Sequence, residues 1–214
     1  MGDGRGPRRT GQALNRTPLE TLIRRRRMTR EFTTEPIDPA LIDELLDTAR
    51  RAPSAGFSQG IHFVVLSGER CDLFWRLTGG DEYYAGRRPA LMNAPIVVLP
   101  FAVAAEYTAR YSEPDKIAFG LDRAESWPVP FWITDVSMAC QNLLLLLEER
   151  GLGVLYFGIS RNADELFAEL GVPDGAQTTG VIAIGHKEPR ETPSGSWRSR
   201  SRRPLSDMVH HQRW

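Results

Sequence analysis

The sequence is poor in several features that would assign a function class at once. Only Lys116 and Lys187 are lysines among 27 basic residues, and the formal net charge is zero. A balanced charge argues against general binding to nucleic acid or to an anionic membrane, and we expect neither partner. The two cysteines, Cys71 and Cys140, are too few for a disulfide framework and lack metal-ligand spacing. We therefore expect both to be reduced and structural, as in a cytoplasmic protein.

Motifs for several common chemistries are missing as well. No Gly-x-Gly-x-x-Gly follows a predicted strand, and no Gly-x-Ser-x-Gly elbow occurs, so neither a Rossmann nucleotide site nor a serine hydrolase is indicated. No set of His, Asp or Glu residues has the spacing of a metal site. The most apolar stretch, FWITDVSMACQNLLLLLEERG, is interrupted by Asp135, Gln141 and Asn142, which predicts a buried helix and not a membrane span. If the chain is an enzyme, we expect an organic cofactor to carry the reaction.

Arginine, in contrast, is concentrated near both ends of the chain. One cluster is RRRRMTREF, residues 24–32, and the other is RSRSRRP, residues 198–204. Planar guanidinium groups suit bidentate contacts with phosphate. From the residues alone, the first cluster fits a solvated basic run, a nucleic-acid patch or a clamp for one phosphate.

Local patterns predict a disordered basic tail at residues 1–16 and one domain at residues 17–214, in which strands and helices alternate. Helices are predicted at TPLETLIRRR, IDPALIDELLDTARRAPS, GERCDLFWRLTGG, residues 131–150, and from a capping box of Asn162 and Glu165 to Gly171. Strand-length apolar runs occur at residues 61–67, residues 95–101, LGVLYFG and TTGVIAIGHKEP, which predicts four or five strands. Residues 105–130 contain three prolines and are expected to be irregular, a composition that fits a mobile excursion beside a site.

The stretch APSAGFSQGIHFVVL places small and hydrogen-bonding residues between a predicted helix and a predicted strand. Ser54, Ser58 and Gln59 offer hydroxyl and amide groups, and Ala55 and Gly56 would let a planar ligand approach the backbone. Taken alone, the same stretch also fits a plain connecting loop.

Four segments in this order resemble the nitroreductase family of flavin mononucleotide (FMN) enzymes: RRMTREF, ARRAPSAGFSQGIHFVVL, RGLGVLYFGISRNADELFAELGVPDGAQTTGVIAIGHKEP and RSRRPLSDMV. Together they reach from about residue 20 to residue 209. The resemblance implies a three-layer α+β fold, with a central, mainly antiparallel sheet of four to five strands flanked by helices. It also implies an intertwined homodimer with each flavin at the subunit interface, in which RRPLSDMVHHQRW embraces the partner.

The resemblance further implies which residues bind the cofactor. The flavin phosphate would be held by Arg26, Arg27, Arg30, Arg200 and Arg202. The ribityl chain and ring edge would contact Pro53, Ser54, Ala55, Phe57 and Gln59, and backbone amides near Phe157 and Gly158 would reach the N5/O4 edge of the ring. The sequence departs from the family at Phe57, where Asn is common, and at Gly60-Ile61, where Pro-Trp is common. No catalytic side chain and no metal ligand is assigned, because flavin N5 would carry the chemistry.

The implied activity is transfer of hydride from NADH or NADPH through FMN to an electron-poor acceptor, such as a nitroaromatic, a quinone or an enone. Four aromatic residues would line the acceptor pocket or belong to the core: Tyr107, Tyr111, Phe119 and Trp127. Flavin fragmentation, reduction of another cofactor and dehalogenation remain alternatives on the same fold. A flavin-storage or nucleic-acid-binding protein is an alternative of a different class.

Overall fold

The computed structural model describes residues 16–80, 84–191 and 199–214. Six α-helices lie in these residues: α1 (Pro18–Arg25), α2 (Pro39–Ala49), α3 (Glu69–Thr78), α4 (Ala104–Tyr111), α5 (Phe131–Glu149) and α6 (Ala163–Glu169). Five strands accompany them: β1 (Ile61–Ser67), β2 (Ile96–Val103), β3 (Gly153–Phe157), β4 (Ala176–Thr178) and β5 (Val181–Gly185). The predicted tail at residues 1–16 lies outside the described residues, apart from Arg16.

The strands form one sheet in which every described strand pairing is antiparallel. The order is β1-β2-β5-β3, with the short β4 paired to the far end of β2. β2 and β5 are buried almost throughout, as their unbroken apolar sequences indicate for strands covered on both faces. The α+β class and the sheet of four to five strands are therefore confirmed.

Alternate residues of the central strands face two separate hydrophobic clusters. Ile96 and Val98 of β2 pack with α2 and α5, whereas Val97 and Leu99 pack with α3 and α6. This alternation follows from the two-residue period of a strand and produces the predicted three layers. The 19-residue α5 is buried along much of its length. No helix among the described residues is long and apolar enough to cross a bilayer.

Local end signals explain most of the helix boundaries. Thr17 and Glu20 form a reciprocal capping box at the start of α1, and Asp38 accepts a hydrogen bond from the Ala40 amide at the start of α2. The predicted box at Asn162 is wrong. Asn162 has left-handed backbone angles and makes no side-chain cap, because its amide instead donates to the Leu77 carbonyl oxygen at 2.9 Å.

Residues 105–130 are more regular than their prolines suggest. They contain most of α4 and two single turns of 3₁₀-helix, Ile117–Phe119 and Ala124–Ser126. Tyr107 and Trp127 are buried, so of the two alternatives left open by the sequence these two residues belong to the core and not to an acceptor pocket. The reason is packing: both rings make edge contacts with Trp132 of α5, at centroid distances of 6.2 and 5.9 Å.

Candidate functional site

The structure brings the two arginine clusters together. A cavity of about 480 Å³ is lined by residues from both ends of the chain, namely Arg26, Arg27, Met28, Arg30, Arg200, Ser201 and Arg202. All five arginines predicted to hold a phosphate are in this set. We call this cavity the arginine clamp.

The N-terminal side of the clamp is placed by backbone pairing with the end of the sheet. The Thr29 amide donates to the Val154 carbonyl oxygen at 2.8 Å, and Phe32, which is fully buried, forms an isolated antiparallel bridge with Lys187. The Arg30 amide donates to the Glu191 carboxylate at 2.7 Å. These bonds hold the segment after α1 beside the chain that leaves β5 and continues toward Arg200 and Arg202.

The arginines of the first cluster have different environments. Arg25 contacts the buried Glu148 carboxylate at 3.3 Å and also donates to the Glu148 carbonyl oxygen, while Arg24 is exposed. Neither of these two residues lines the clamp. Arg27 donates to the carbonyl oxygens of Arg24 and Arg26, at the end of α1.

Arg26 carries the observation that best fits an anion. Its Nη1 atom is buried and has no hydrogen-bond partner among the described residues. A buried guanidinium donor without an acceptor is unfavourable, because it has lost water without a replacement. A phosphate in the clamp would supply anionic oxygens to such a donor, and several guanidinium groups can share its charge.

The second part of the predicted site is the loop between α2 and β1, residues 53–59, which we call the α2–β1 loop. Its backbone is held from outside by two side chains. Asp135 of α5 accepts from the Ala55 amide at 2.8 Å, and Arg110 of α4 donates to the Gly56 carbonyl oxygen at 2.9 Å. Within the loop, the Ser54 hydroxyl accepts from the Gln59 amide at 2.8 Å. The loop is therefore rigidly placed although it has little regular structure.

Asp135 was recognised in the sequence only as an interruption of an apolar run. In the structure it is 2% exposed and also accepts from the Tyr107 hydroxyl at 2.8 Å. Burial raises the pKa of the Tyr107 hydroxyl well above its ordinary value, so this group remains a donor. A carboxylate within the apolar first half of α5 was the available signal, since a buried charge needs partners.

The α2–β1 loop contains unusual backbone angles. Gly56, Phe57 and Gln59 all have positive φ, at 60°, 59° and 57°. Gly56 also has no room for a side chain, because an added Cβ would lie 2.6 Å from the Tyr111 ring. For a residue with a Cβ, the left-handed conformation costs about 1–2 kcal/mol. Phe57 adopts it while its side chain is 75% exposed, so local packing does not offset this cost.

A second cavity, of about 420 Å³, opens beside this loop, and we call it the loop cavity. Its walls are formed by Arg50, Arg51, Ala52, Ser54, Phe57, Gln59 and Ile61. None of these residues lines the arginine clamp. Within one chain, the predicted phosphate contacts therefore line one cavity, and three of the five predicted contacts in the loop (Ser54, Phe57 and Gln59) line the other. Of the remaining loop residues, Pro53 is exposed and Ala55 is half-buried.

The predicted contacts at the end of β3 divide between core and surface. The Phe157 ring stacks on Trp75 of α3, with centroids 6.0 Å apart and planes 2° apart, so its side chain belongs to the hydrophobic core. Gly158 is exposed, and nothing lies within 4 Å of the position that a Cβ would take. The backbone at this point is thus accessible to a ligand, as the amide contacts would require.

The cysteine thiols are protected, whereas His62 is accessible. Both cysteines are free and buried, and burial raises the pKa of Cys71 to about 12 and that of Cys140 to about 11. His62, whose side chain is 51% exposed, forms a hydrogen bond with the Glu106 carboxylate at 2.9 Å. Among the described residues, no three His, Cys, Asp or Glu side chains are grouped so that they could hold a metal ion.

Comparison with known proteins adds to this geometry. The sequence model of the Nitroreductase family matches residues 23–186. A protein of Archaeoglobus fulgidus, provisionally named as an NADH dehydrogenase/NAD(P)H nitroreductase, is 22% identical over 196 residues, which are 90% of this chain and 97% of the relative. An FMN reductase (NADPH) of Bacillus subtilis is 24% identical over 169 residues, or 78% of this chain and 65% of the relative.

A solved structure shares the fold. A provisionally named nitroreductase from Desulfovibrio desulfuricans, in complex with FMN, superposes with a TM-score of 0.66 at 24% identity, covering 93% of this chain and 99% of that one.

Proposed function

Because this chain belongs to the nitroreductase family, whose sequence model matches residues 23–186, we propose that it is an FMN-dependent oxidoreductase. It takes hydride from NADH or NADPH and passes electrons to an electron-poor organic acceptor. The single observation that carries the proposal is the convergence of five arginines, from both ends of the chain, on one cavity.

The arginine clamp fits the phosphate of FMN in charge and in donor supply. A phosphate monoester carries close to two negative charges near neutral pH and has three strong acceptor oxygens. Arg26 presents a buried donor that has no partner among the described residues, and Arg200 and Arg202 lie on the exposed side of the same cavity. The clamp would therefore neutralise the phosphate from two sides.

We propose that two copies of the chain complete the flavin site. The arginine clamp and the loop cavity share no lining residue, so one copy would supply the clamp and its partner the α2–β1 loop. The C-terminal residues 199–214 are exposed throughout, and Leu205 is 75% exposed. Phe131 and Met138 of α5 also present apolar surface. Burying these groups against a second copy would stabilise a dimer.

When bound, FMN supplies the redox chemistry, accepting hydride from the nicotinamide and returning electrons to the acceptor. The chain binds and orients it. The arginine clamp fixes the phosphate, the accessible backbone at Gly158 offers an amide to the ring edge, and the braced α2–β1 loop borders the space for the acceptor. No side chain is assigned a proton-transfer role.

One feature favours a second candidate within the same family. Phe57 stands where the family commonly has Asn, so the ring environment differs from the usual pattern. A flavin enzyme with another activity, such as flavin fragmentation, cofactor reduction or dehalogenation, would also use the arginine clamp. In such an enzyme, neither NADH nor NADPH would reduce the bound FMN.

Anaerobic reduction of the purified protein tests the proposal. The protein should bind added FMN, and NADH or NADPH should bleach the flavin absorbance under nitrogen. Arg30→Gln and Arg202→Gln should each weaken FMN binding at least tenfold, because each removes a charge-assisted contact with the phosphate. Arg70→Gln is the matched control, since Arg70 is exposed on α3 and lines neither cavity.

Three results would contradict the proposal in different ways. A protein that takes up no flavin would exclude both flavin activities. Bound FMN that neither nicotinamide reduces would favour the second candidate. Unchanged FMN affinity in Arg30→Gln and Arg202→Gln would refute the arginine clamp.

A further inference from the structure

The loop cavity combines positive charge with an exposed aromatic ring. Arg50 and Arg51 stand at the end of α2, and both face Asp47. Arg50 donates to the Asp47 carboxylate through Nε at 2.9 Å and through Nη2. Arg51 reaches the same carboxylate only at 3.8 Å, and its side chain is 75% exposed. Asp47, Arg50 and Arg51 together have a net charge of +1. Of the two arginines, Arg51 makes the longer contact with Asp47.

Phe57 lines the same cavity as Arg51 and does not pack in either hydrophobic cluster. Its ring is 75% exposed although its backbone is held in the left-handed conformation. Strained conformations that persist without a packing benefit are concentrated at ligand sites. An exposed phenyl ring is a stacking surface for a planar, electron-poor aromatic molecule.

We propose that the loop cavity selects planar aromatic acceptors that carry an acidic group, with the acceptor ring on Phe57 and its carboxylate on Arg51. The inference rests on the proposed function and names the substrate class for that site. For a nitroaromatic acid, one turnover reduces the nitro group to a nitroso group with two electrons. NAD(P)H supplies one hydride through the flavin and solvent supplies one proton, one nitro oxygen leaves as water, and NAD(P)⁺ is the oxidised product.

The arginine clamp does not compete for this role. Its five arginines line a different cavity, and FMN phosphate occupies it in the proposed function. The 2′-phosphate of NADPH is the other anion that Arg51 could bind. NADH lacks this phosphate, so the two reductants separate the possibilities.

A matched pair of acceptors gives the test. 4-Nitrobenzoate and 4-nitrobenzamide have nearly the same shape, but only the first is an anion. With NADH as reductant, Arg51→Gln should lower kcat/KM for 4-nitrobenzoate about tenfold, mainly through KM, since it removes one charge-assisted contact at an exposed site. The value for 4-nitrobenzamide should change less than about twofold. The Arg70→Gln control should leave both values unchanged.

Phe57→Leu tests the ring separately, because it keeps an apolar side chain in the same strained backbone. It should lower kcat/KM for both acceptors by about three- to tenfold, through loss of stacking. FMN affinity is measured in the same variant, because the family resemblance also places Phe57 beside the flavin.

Calorimetric titration of the FMN-loaded, oxidised protein with each acceptor provides a readout that needs no turnover. Wild type should bind 4-nitrobenzoate more tightly than 4-nitrobenzamide, and Arg51→Gln should abolish the preference. If NADH and NADPH fail to reduce the flavin, the proposed function fails, while this titration still decides the acid preference of the cavity.

Equal effects of Arg51→Gln on both acceptors, or no preference in the titration, would overturn the inference. So would slower flavin reduction by NADPH with NADH unaffected, which would assign Arg51 to the reductant. Weaker FMN binding in Phe57→Leu would assign the ring to the cofactor and overturn the stacking of the acceptor.

Discussion

Removing the Asp135 carboxylate should destabilise the protein and loosen the α2–β1 loop together. This carboxylate accepts from the Ala55 amide and from the Tyr107 hydroxyl, each at 2.8 Å, at a position that is 2% exposed. A buried donor left without an acceptor costs about 1–3 kcal/mol. Asp135→Ala leaves two such donors, so we expect the free energy of unfolding to fall by about 4 kcal/mol.

Graded variants separate the hydrogen bonds from the general effect of a core substitution. Asp135→Asn keeps a carbonyl oxygen but loses the charge, and should cost about 2 kcal/mol, because bonds to neutral acceptors are about half as strong. Tyr107→Phe removes one donor and should cost about 1.5–3 kcal/mol. In Asp135→Ala the Tyr107 bond is already lost, so adding Tyr107→Phe should cost less than it does in the wild type, with a coupling of about 1–2 kcal/mol.

Urea unfolding measures these energies, provided that the slope of free energy against urea is the same in all variants. FMN affinity, measured by fluorescence, reports on the loop. We expect Asp135→Asn to recover part of the affinity that Asp135→Ala loses. If the losses in unfolding free energy of Asp135→Ala and Tyr107→Phe add exactly in the double variant, Asp135 does not link α4 to the loop. A loss below about 0.5 kcal/mol in Asp135→Ala would refute the same link.

Three further predictions follow from single features. Phe57→Asn should raise the free energy of unfolding by about 0.5–1 kcal/mol, because Asn tolerates the left-handed conformation. An unchanged or lower midpoint of urea unfolding would contradict backbone strain at Phe57. Cys71 and Cys140 should resist iodoacetamide in the folded protein at pH 8, because their pKa values of about 12 and about 11 leave only a small thiolate fraction. Their labelling, measured by mass spectrometry, should rise as the pH approaches these pKa values. Rapid labelling at pH 8 would show that the thiols are accessible. If two copies pair as proposed, deleting residues 204–214 should convert that dimer to a monomer in light scattering and weaken FMN binding. An unchanged dimer would remove this segment from the interface.

Features that depend on short-range physics were predictable from the sequence. The capping box of Thr17 and Glu20 and the run Ile61–Ser67 match the structure, because caps and strand runs depend on residues within a few positions. The Asn162 prediction failed for the opposite reason. Its side chain bonds to Leu77, which is 85 residues away in the sequence, and no local pattern indicates that contact.

In the candidate site, too, single segments were predictable from the sequence, whereas contacts between distant segments were not. Each arginine cluster is visible in the sequence, but their meeting depends on the bridge between Phe32 and Lys187 and on the path after β5, so that only the family resemblance anticipated it. The aromatic residues of 105–130 were ambiguous, because a buried Tyr107 and an exposed Phe119 look alike in a proline-containing segment. Tyr107 is buried because it packs against Trp132 of α5, and no local pattern in the sequence links these two residues.

The α2–β1 loop is where the structure adds most to the sequence, whose residues taken alone fit both a binding segment and a plain connection. A plain connection has no need of external support, yet Asp135 and Arg110 hold this loop from two different helices. Their contacts are to backbone atoms of Ala55 and Gly56, so they stabilise the path of the chain and leave the neighbouring Phe57 ring exposed. The surrounding structure thus maintains a backbone conformation that Phe57 alone would avoid. This arrangement favours a loop that presents a side chain to a ligand over one that only joins a helix to a strand.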